Sequence, residues 1–246
     1  MAETGNPSGM MQRQVNGMKK GESTRLEILQ VADRLFCSKG YDQTSVQDIL
    51  DIIHGSKGGF YHHFPSKDAV LQTLCQQRAE RAKARANESL ISITDPLIRL
   101  NTIFTHCIPL RMDDASFIAT VLPLLRRPEG MTVRVVYQDA IIDAFKSLLD
   151  REIARAKSEQ VLFPCANDIG ITILTLTNAF WLECVLLIPL DSNKDANCAS
   201  VIPVLNRYRM LLEHMLNAPY GSISLMNLEQ WEEFTNRVML LMKHGI

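Results

Sequence analysis

What the 246-residue chain lacks narrows its reading at once. Six cysteines are present, Cys37, Cys75, Cys107, Cys165, Cys184 and Cys198, yet no two form a Cys-x-x-Cys pair, and no His-x-x-x-His occurs. Local metal sites need closely spaced ligands, so neither a metal nor a cofactor is expected. No glycine-rich phosphate loop and no nucleophile–base motif is found, so a small all-α enzyme has no motif to carry it. Charge of one sign is also scarce. Lys and Arg number 26 against 27 Asp and Glu, for a net charge of −1, so no overall field advertises nucleic acid. No run alternates apolar and polar residues at the period of a half-buried strand, and the chain is expected to be all-α. The opening residues lack an apolar signal segment, and reduced thiols in the cytoplasm are expected. With 46 % apolar and 22 % charged residues, the composition is that of a globular protein with ample core.

One further absence is local. Residues 54–67 hold no Asp or Glu but carry Lys57, Lys67, His54, His62 and His63. An uncompensated cationic tip on a near-neutral chain suits contact with phosphates. The tip lies within TSVQDILDIIHGSKGGFYHHFPSK, residues 44–67. Thr44 with Gln47 forms a capping-box pattern. Val46, Ile49, Leu50 and Ile53 then recur at i, i+3, i+4 and i+7, one buried helix face. Gly55 breaks the pattern and Ser56 caps a second, short helix, which Pro65 stops. Two short helices joined by a tight turn predict a helix-turn-helix whose second helix enters the major groove. Phe64 is expected in the core and Phe60 toward the groove. His63 is expected to be a structural histidine.

The letters TSVQDIL and SKGGFYHHFPSKDAVL resemble the DNA-binding segment of the TetR/AcrR family of bacterial transcriptional regulators, from roughly Arg25 to Leu74. The family usually has Ala-Gly-Val in the turn, where this chain has Ile53, His54 and Gly55. The resemblance implies a set of contacts with double-stranded DNA. Thr44 and Ser45 hold a phosphate at a helix N-terminus. Gln47 and Lys57 reach adenine and guanine edges. Ser56 opens the reader helix, and Gly58 and Gly59 let its backbone approach closely. Tyr61 and Lys67 contact phosphates, and His62 touches either phosphate or base. It also implies a homodimer on a palindromic operator, and a C-terminal half that holds a small apolar or amphipathic effector. The expected function is therefore a ligand-responsive repressor. The alternative is a DNA-binding regulator whose second half only dimerises or recruits a partner protein.

Taken in order, residues 1–20 are expected to be a flexible extension, with Arg13, Lys19 and Lys20 either in a free tail or reaching along DNA. Residues 21–82 are the expected three-helix DNA-binding domain and 83–246 a helical bundle for dimerisation and ligand binding. A first helix is predicted from a Thr24–Glu27 capping box, with Leu26, Leu29, Ala32, Leu35 and Phe36 inward and a stop at Lys39-Gly40. Ser66 caps a fourth helix, on which Arg78, Arg81, Lys83 and Arg85 read as a solvated face. Asp95-Pro96 opens the second half. A long amphipathic helix runs from Thr132 to Lys157, with Glu152 placed on its wet side. Residues Ile169 to Leu190 are apolar all round and carry one charge, Glu183. Their length meets the membrane rule, but Asn178 and Glu183 are costly in lipid, and the flanks Asp168 and Asp191 supply no basic anchor. A buried helix and no membrane contact are expected. Candidate effector contacts are His106, Phe145, Asn178, Trp181 and Glu183. The polar loop 191–200 leads to a helix over Val201–Leu216. A last helix over Leu225–Lys243, bearing Trp231 and Phe234, is expected to be core or subunit interface.

Overall fold

The structure, a computed structural model, describes residues 20–190 and 198–244. The predicted extension and most of the polar loop before Val201 lie outside these residues. Among the described residues every regular element is helical: α1 (Lys20–Ser38), α2 (Val46–Ile53), α3 (Lys57–His63), α4 (Lys67–Leu90), α5 (Pro96–Cys107), α6 (Ala115–Leu125), α7 (Met131–Ser158), α8 (Gly170–Leu186), α9 (Val201–Leu216) and α10 (Leu228–Lys243). The chain divides into two compact units, Met1–Leu74 and Cys75–Ile246. The expected boundary at 82/83 and the observed one both fall inside α4.

In the first unit α1 packs on α2, and α2 on α3. Its core comprises Ile28, Leu29, Val31, Ala32, Phe36, Ile49, Leu50, Phe60, Phe64 and Val70. Helix α1 begins earlier than predicted, so Thr24 lies within it and does not cap it. Leu29, Ala32 and Phe36 face inward as predicted, Ile28 and Val31 join them, and Leu26 is exposed. The capping box of α2 also sits one residue later than expected. Ser45 is the N-cap, its hydroxyl accepts the Asp48 N–H, and the Asp48 carboxylate accepts the Ser45 N–H. A Lys39 ammonium at 2.8 Å, together with the N–H and hydroxyl of Ser45, pulls the Asp48 carboxyl down to about 2. Ser66 accepts from the Ala69 N–H and so caps α4 as predicted.

In the second unit α8 packs on α7 and α9, α5 on α7, and α10 on α6. Asp95 caps α5 by accepting the Ile98 N–H at 2.9 Å, with Pro96 at the first helical position. Helix α8 is shorter than the apolar run that predicts it, ending at Leu186. Among the described residues no helix is long and apolar enough to cross a membrane. Its C-terminal carbonyls are held by the Arg126 guanidinium, which donates to Leu186 and Ile188. Helix α7 carries the clearest departure from the sequence reading. Glu152 is buried, with 3 % of its side chain exposed, and makes a two-pronged ion pair with Arg99 at 2.6 and 2.9 Å. The position falls on the stripe of Phe145, Leu148, Leu149 and Ala156, so helical spacing buries it, and Arg99 makes that burial tolerable. Arg99 also donates to the carbonyls of Leu90 and Ile93, tying the end of α4 and the following turn to α5.

Candidate nucleic-acid interface

The turn between α2 and α3 is set by His54. It is the C-cap of α2 in the left-handed region (φ 51°, ψ 38°), and its N–H bonds the Leu50 carbonyl. Aligned on the Ser56-Lys57-Gly58 letters, His54 occupies the place where the TetR/AcrR pattern has glycine. Histidine tolerates this region better than most residues, yet a Cβ there still costs about 1–2 kcal/mol. Part of that gain is offset by the larger entropy glycine gives the unfolded chain. His54→Gly is therefore expected to stabilise the protein by about 0.5–1 kcal/mol. Thermal unfolding checks this, and an unchanged or lower midpoint would contradict the strain assigned to the turn.

Helix α3 follows immediately, with Ser56 as N-cap accepting the Gly59 N–H at 3.1 Å. Phe60 and Phe64 are both buried, with ring centroids 6.2 Å apart. Sequence reasoning splits them between core and groove, but residues four apart on a helix share one face. Arg25 lies over the Phe64 ring at 4.8 Å and closes this side of the core. Seating two aromatic rings inward turns Ser56, Lys57, Gly58, Tyr61 and His62 outward, and all five are exposed. Gly58 has no internal reason to be glycine, since a Cβ built there meets nothing within 4 Å. His63 is half-buried and packs edge-on against His62.

Two other predicted contacts are placed differently. Thr44 is 1 % exposed and its hydroxyl donates to the Gly40 carbonyl at 2.7 Å. It fastens the end of α1 to the start of α2, and the phosphate role predicted for it has no free group. Lys67 also turns inward. Its ammonium donates to the carbonyls of Tyr41 and Thr44 at 2.7 and 3.0 Å and sits 4.1 Å from the centre of the Tyr41 ring. The Tyr41 hydroxyl in turn donates to Asp68, and burial and that carboxylate keep it protonated. Gln47 is exposed as expected, with its amide donating to Asp51 one turn along at 2.8 Å. An exposed i,i+4 contact of this kind is weak and exchangeable. Ser45 is exposed too, though its hydroxyl also donates to Asp48. The outward set is thus Ser45, Gln47, Ser56, Lys57, Gly58, Tyr61 and His62, with Gly59 behind them against Ser56.

In the second unit the five candidate effector contacts do not form one cluster. Phe145 is fully buried core. Glu183 is part-exposed at the surface and paired with Arg207, and it does not line the cavity that holds His106. Asn178 and Trp181 are buried together, the indole N–H donating to the Asn178 oxygen at 2.8 Å and the Asn178 amide to Gln138 at 3.1 Å. Trp181 meets Tyr137 edge-on, 5.6 Å between centroids. Tyr137 and His106 line one cavity of about 160 Å³, whose other walls include Arg78, Arg81 and Arg85. These arginines read as a solvated face in the sequence. In the structure Arg78 and Arg85 are half-buried, and Arg78 lies 4.0 Å over the Phe117 ring. Their spacing of three and four residues was the available signal, since it sets them on one face of α4. A second, larger cleft of about 460 Å³ lies between the Thr105–Asp113 segment and the start of α10 around Trp231.

A helix-turn-helix with an exposed, acid-free second helix is the arrangement with which DNA-binding domains enter the major groove. Residues 28–74 match the family of bacterial regulatory proteins called the tetR family. The chain is 33 % identical over 93 residues to the HTH-type transcriptional regulator UidR of Escherichia coli K12, covering 37 % of this chain and 47 % of that one. It is 33 % identical over 82 residues to the HTH-type transcriptional repressor KstR2 of Mycolicibacterium smegmatis, covering 33 % and 40 %. The matched segment thus spans less than half the length of these relatives. A transcriptional regulator from Saccharomonospora viridis, solved with choline, shares the fold with a TM-score of 0.51 at 22 % identity, over 78 % of this chain and 97 % of that one. Over residues 28–74 the chain is thus similar to the tetR family of bacterial regulatory proteins.

Proposed function

We propose that the protein is a cytoplasmic, ligand-responsive repressor that binds a palindromic operator as a homodimer. The observation that carries this reading is the outward face of α3. Lys57, Tyr61 and His62 stand exposed on a helix anchored from behind by Phe60 and Phe64, and no acidic residue lies between His54 and Lys67. In this reading Lys57 and Gln47 contact base edges, Tyr61 and Ser45 contact phosphates, and His62 touches either. Gly58 and Gly59 keep the helix start bare, so the backbone can approach the duplex. Thr44 and Lys67 act from inside, fixing the angle at which α2 and α3 meet DNA. One reader helix gives little specificity, so two copies on a symmetric site are required. Apolar side chains for that pairing stand exposed on α8, at its C-cap and on α9, namely Ile171, Leu187, Ile202, Met210 and Leu211.

The repressor name of KstR2 and the choline in the Saccharomonospora structure support the sign of regulation and the presence of a ligand site in the second unit. The site assigned to it is the cavity lined by His106 and Tyr137, with Asn178 and Trp181 in support behind Tyr137. A ligand shifts DNA affinity only by its differential affinity for the DNA-competent and released states. Gel-shift titration of genomic fragments at moderate salt tests the DNA half of the proposal. A retarded complex that forms at nanomolar protein and dissolves as salt is raised is expected, because phosphate contacts release counterions. Binding that is absent at low salt would remove the assignment.

A further inference from the structure

The proposed effector site has a chemistry that narrows what it can hold. Arg78, Arg81 and Arg85 recur at three and four residues along α4, so their guanidinium groups share a face, and all three line the same cavity. Two carboxylates, Asp113 and Asp114, line it as well. Asp114 already accepts the backbone N–H of Arg111 at 3.3 Å. Three guanidinium groups against two carboxylates leave one positive charge in excess. The Nε of Arg85 is buried and has no hydrogen-bond partner. A buried donor without an acceptor is costly, and a ligand acceptor would relieve it.

The remaining side chains of the lining are uncharged. His106 places Nδ1 2.8 Å from the Thr102 carbonyl, which can only accept, so Nδ1 carries the proton. Its Nε2 then presents a lone pair to Arg111 and Ser89 at 3.3 and 3.4 Å. Burial, with Arg111 and Arg85 nearby, holds the ring below its usual range, so it is uncharged at neutral pH. Burial keeps the Tyr137 hydroxyl protonated. Phe117, Ile108 and Pro109 give the cavity an apolar side. At about 160 Å³ it matches the size class of an apolar cavity that encloses a benzene ring.

We propose that this cavity binds a small monocarboxylic acid, its carboxylate on the Arg81 and Arg85 guanidinium groups and its hydrocarbon part against Phe117 and Tyr137. That this acid is the effector rests on the ligand-responsive reading above; that the cavity takes an acid rests on its own geometry. A planar carboxylate accepts two parallel N–H bonds from a guanidinium, which an amide of the same shape cannot reproduce.

The test uses the full-length protein at pH 7 with benzoate and butyrate as probes, each beside its neutral amide. Calorimetric titration and thermal unfolding are read together with gel shift. At least one acid is expected to bind once per chain at millimolar concentration or below and to raise the unfolding midpoint, while both amides leave it unmoved. Arg85→Gln is expected to weaken the acid by about tenfold or more, the loss of one charge-assisted pair. Should that variant fail to fold, Arg81→Gln, at an exposed position, carries the same expectation. The proposal is overturned if neither acid binds, if an amide binds as well as its acid, or if the folded arginine variant binds like the parent. The two readings separate on the gel. Acid binding without release of DNA upholds the site and removes the ligand response. No acid binding with DNA binding intact removes the site alone.

Discussion

Lys57→Ala is expected to lower operator affinity by about 10- to 100-fold per half-site, the 1–3 kcal/mol that one well-placed contact to a base edge supplies. The unfolding midpoint should stay where it was. Lys57 is exposed at the first position of α3, and no carboxylate among the described residues pairs with it, so the fold loses nothing with it. Because a symmetric dimer presents the residue twice, the loss on a full palindrome should be the larger for it. Salt separates the two ways a lysine can act. If Lys57 reads guanine, its removal relaxes preference at one base pair of each half-site. A lysine that only touches phosphate weakens all sequences alike and flattens the salt slope by about one unit. Lys57→Ala is expected to follow the first pattern, and Tyr61→Phe, whose removed hydroxyl is neutral, to show uniform loss without the change in salt slope. Affinity and base preference both unchanged in Lys57→Ala would sink the assignment of α3 as the reader.

The largest effect on stability is expected at a residue far from the reader. Arg99→Met should cost about 3–5 kcal/mol, because it leaves the buried Glu152 carboxylate with only the exposed Arg151, 3.3 Å away, in place of its two-pronged partner. It also removes the donors that hold the Leu90 and Ile93 carbonyls, so the turn between α4 and α5 loses its clasp. The pH dependence gives an independent check. In the parent, the Arg99 guanidinium holds the Glu152 carboxyl below its usual range. A carboxyl lowered on folding contributes stability above its unfolded value of about 4.3, and that contribution is lost as pH falls through the lowered folded value. In the variant only the exposed Arg151, 3.3 Å away, is left to oppose burial, so the carboxyl rises above its place in the parent, the folded state takes up the proton at higher pH, and the deficit against the parent should shrink as pH falls. A deficit that is small, or constant with pH, would show that the pair does not carry the weight given to it.

Local pattern and tertiary context divide what the sequence could tell. The spacing of Ile49 and Leu50, the breaks at Gly55 and Pro65, and the Asp95-Pro96 start are decided within one or two turns of helix, and the structure agrees with them. So is the all-helical class. The capping of α2 was legible to within one residue, because Thr44 and Ser45 are both good caps and only the Gly40 carbonyl decides that Thr44 turns inward. Lys67 looks like a free cation in sequence, but two carbonyls of the segment between α1 and α2 claim its ammonium. Glu152 and Arg99 are far apart in sequence, and no local signal joins them. Its charge placed Glu152 on the wet side of α7, although helical spacing sets it on the stripe of Phe145, Leu148, Leu149 and Ala156. The arginine face of α4 was visible as a pattern, yet solvent and cavity look alike until α5 and α6 are in place. His54 is different in kind, since a departure from the family's letters became a specific backbone conformation.

The most direct test of the central claim is selection of bound sequences from random DNA by the full-length protein. Enrichment of an inverted repeat is expected, its two half-sites a helical turn or a small multiple of it apart, occupied by two chains. Lys57→Ala, selected in parallel, is expected to lose preference at one position in each half-site. Enrichment of nothing, or of a single asymmetric site bound by one chain, would contradict that claim.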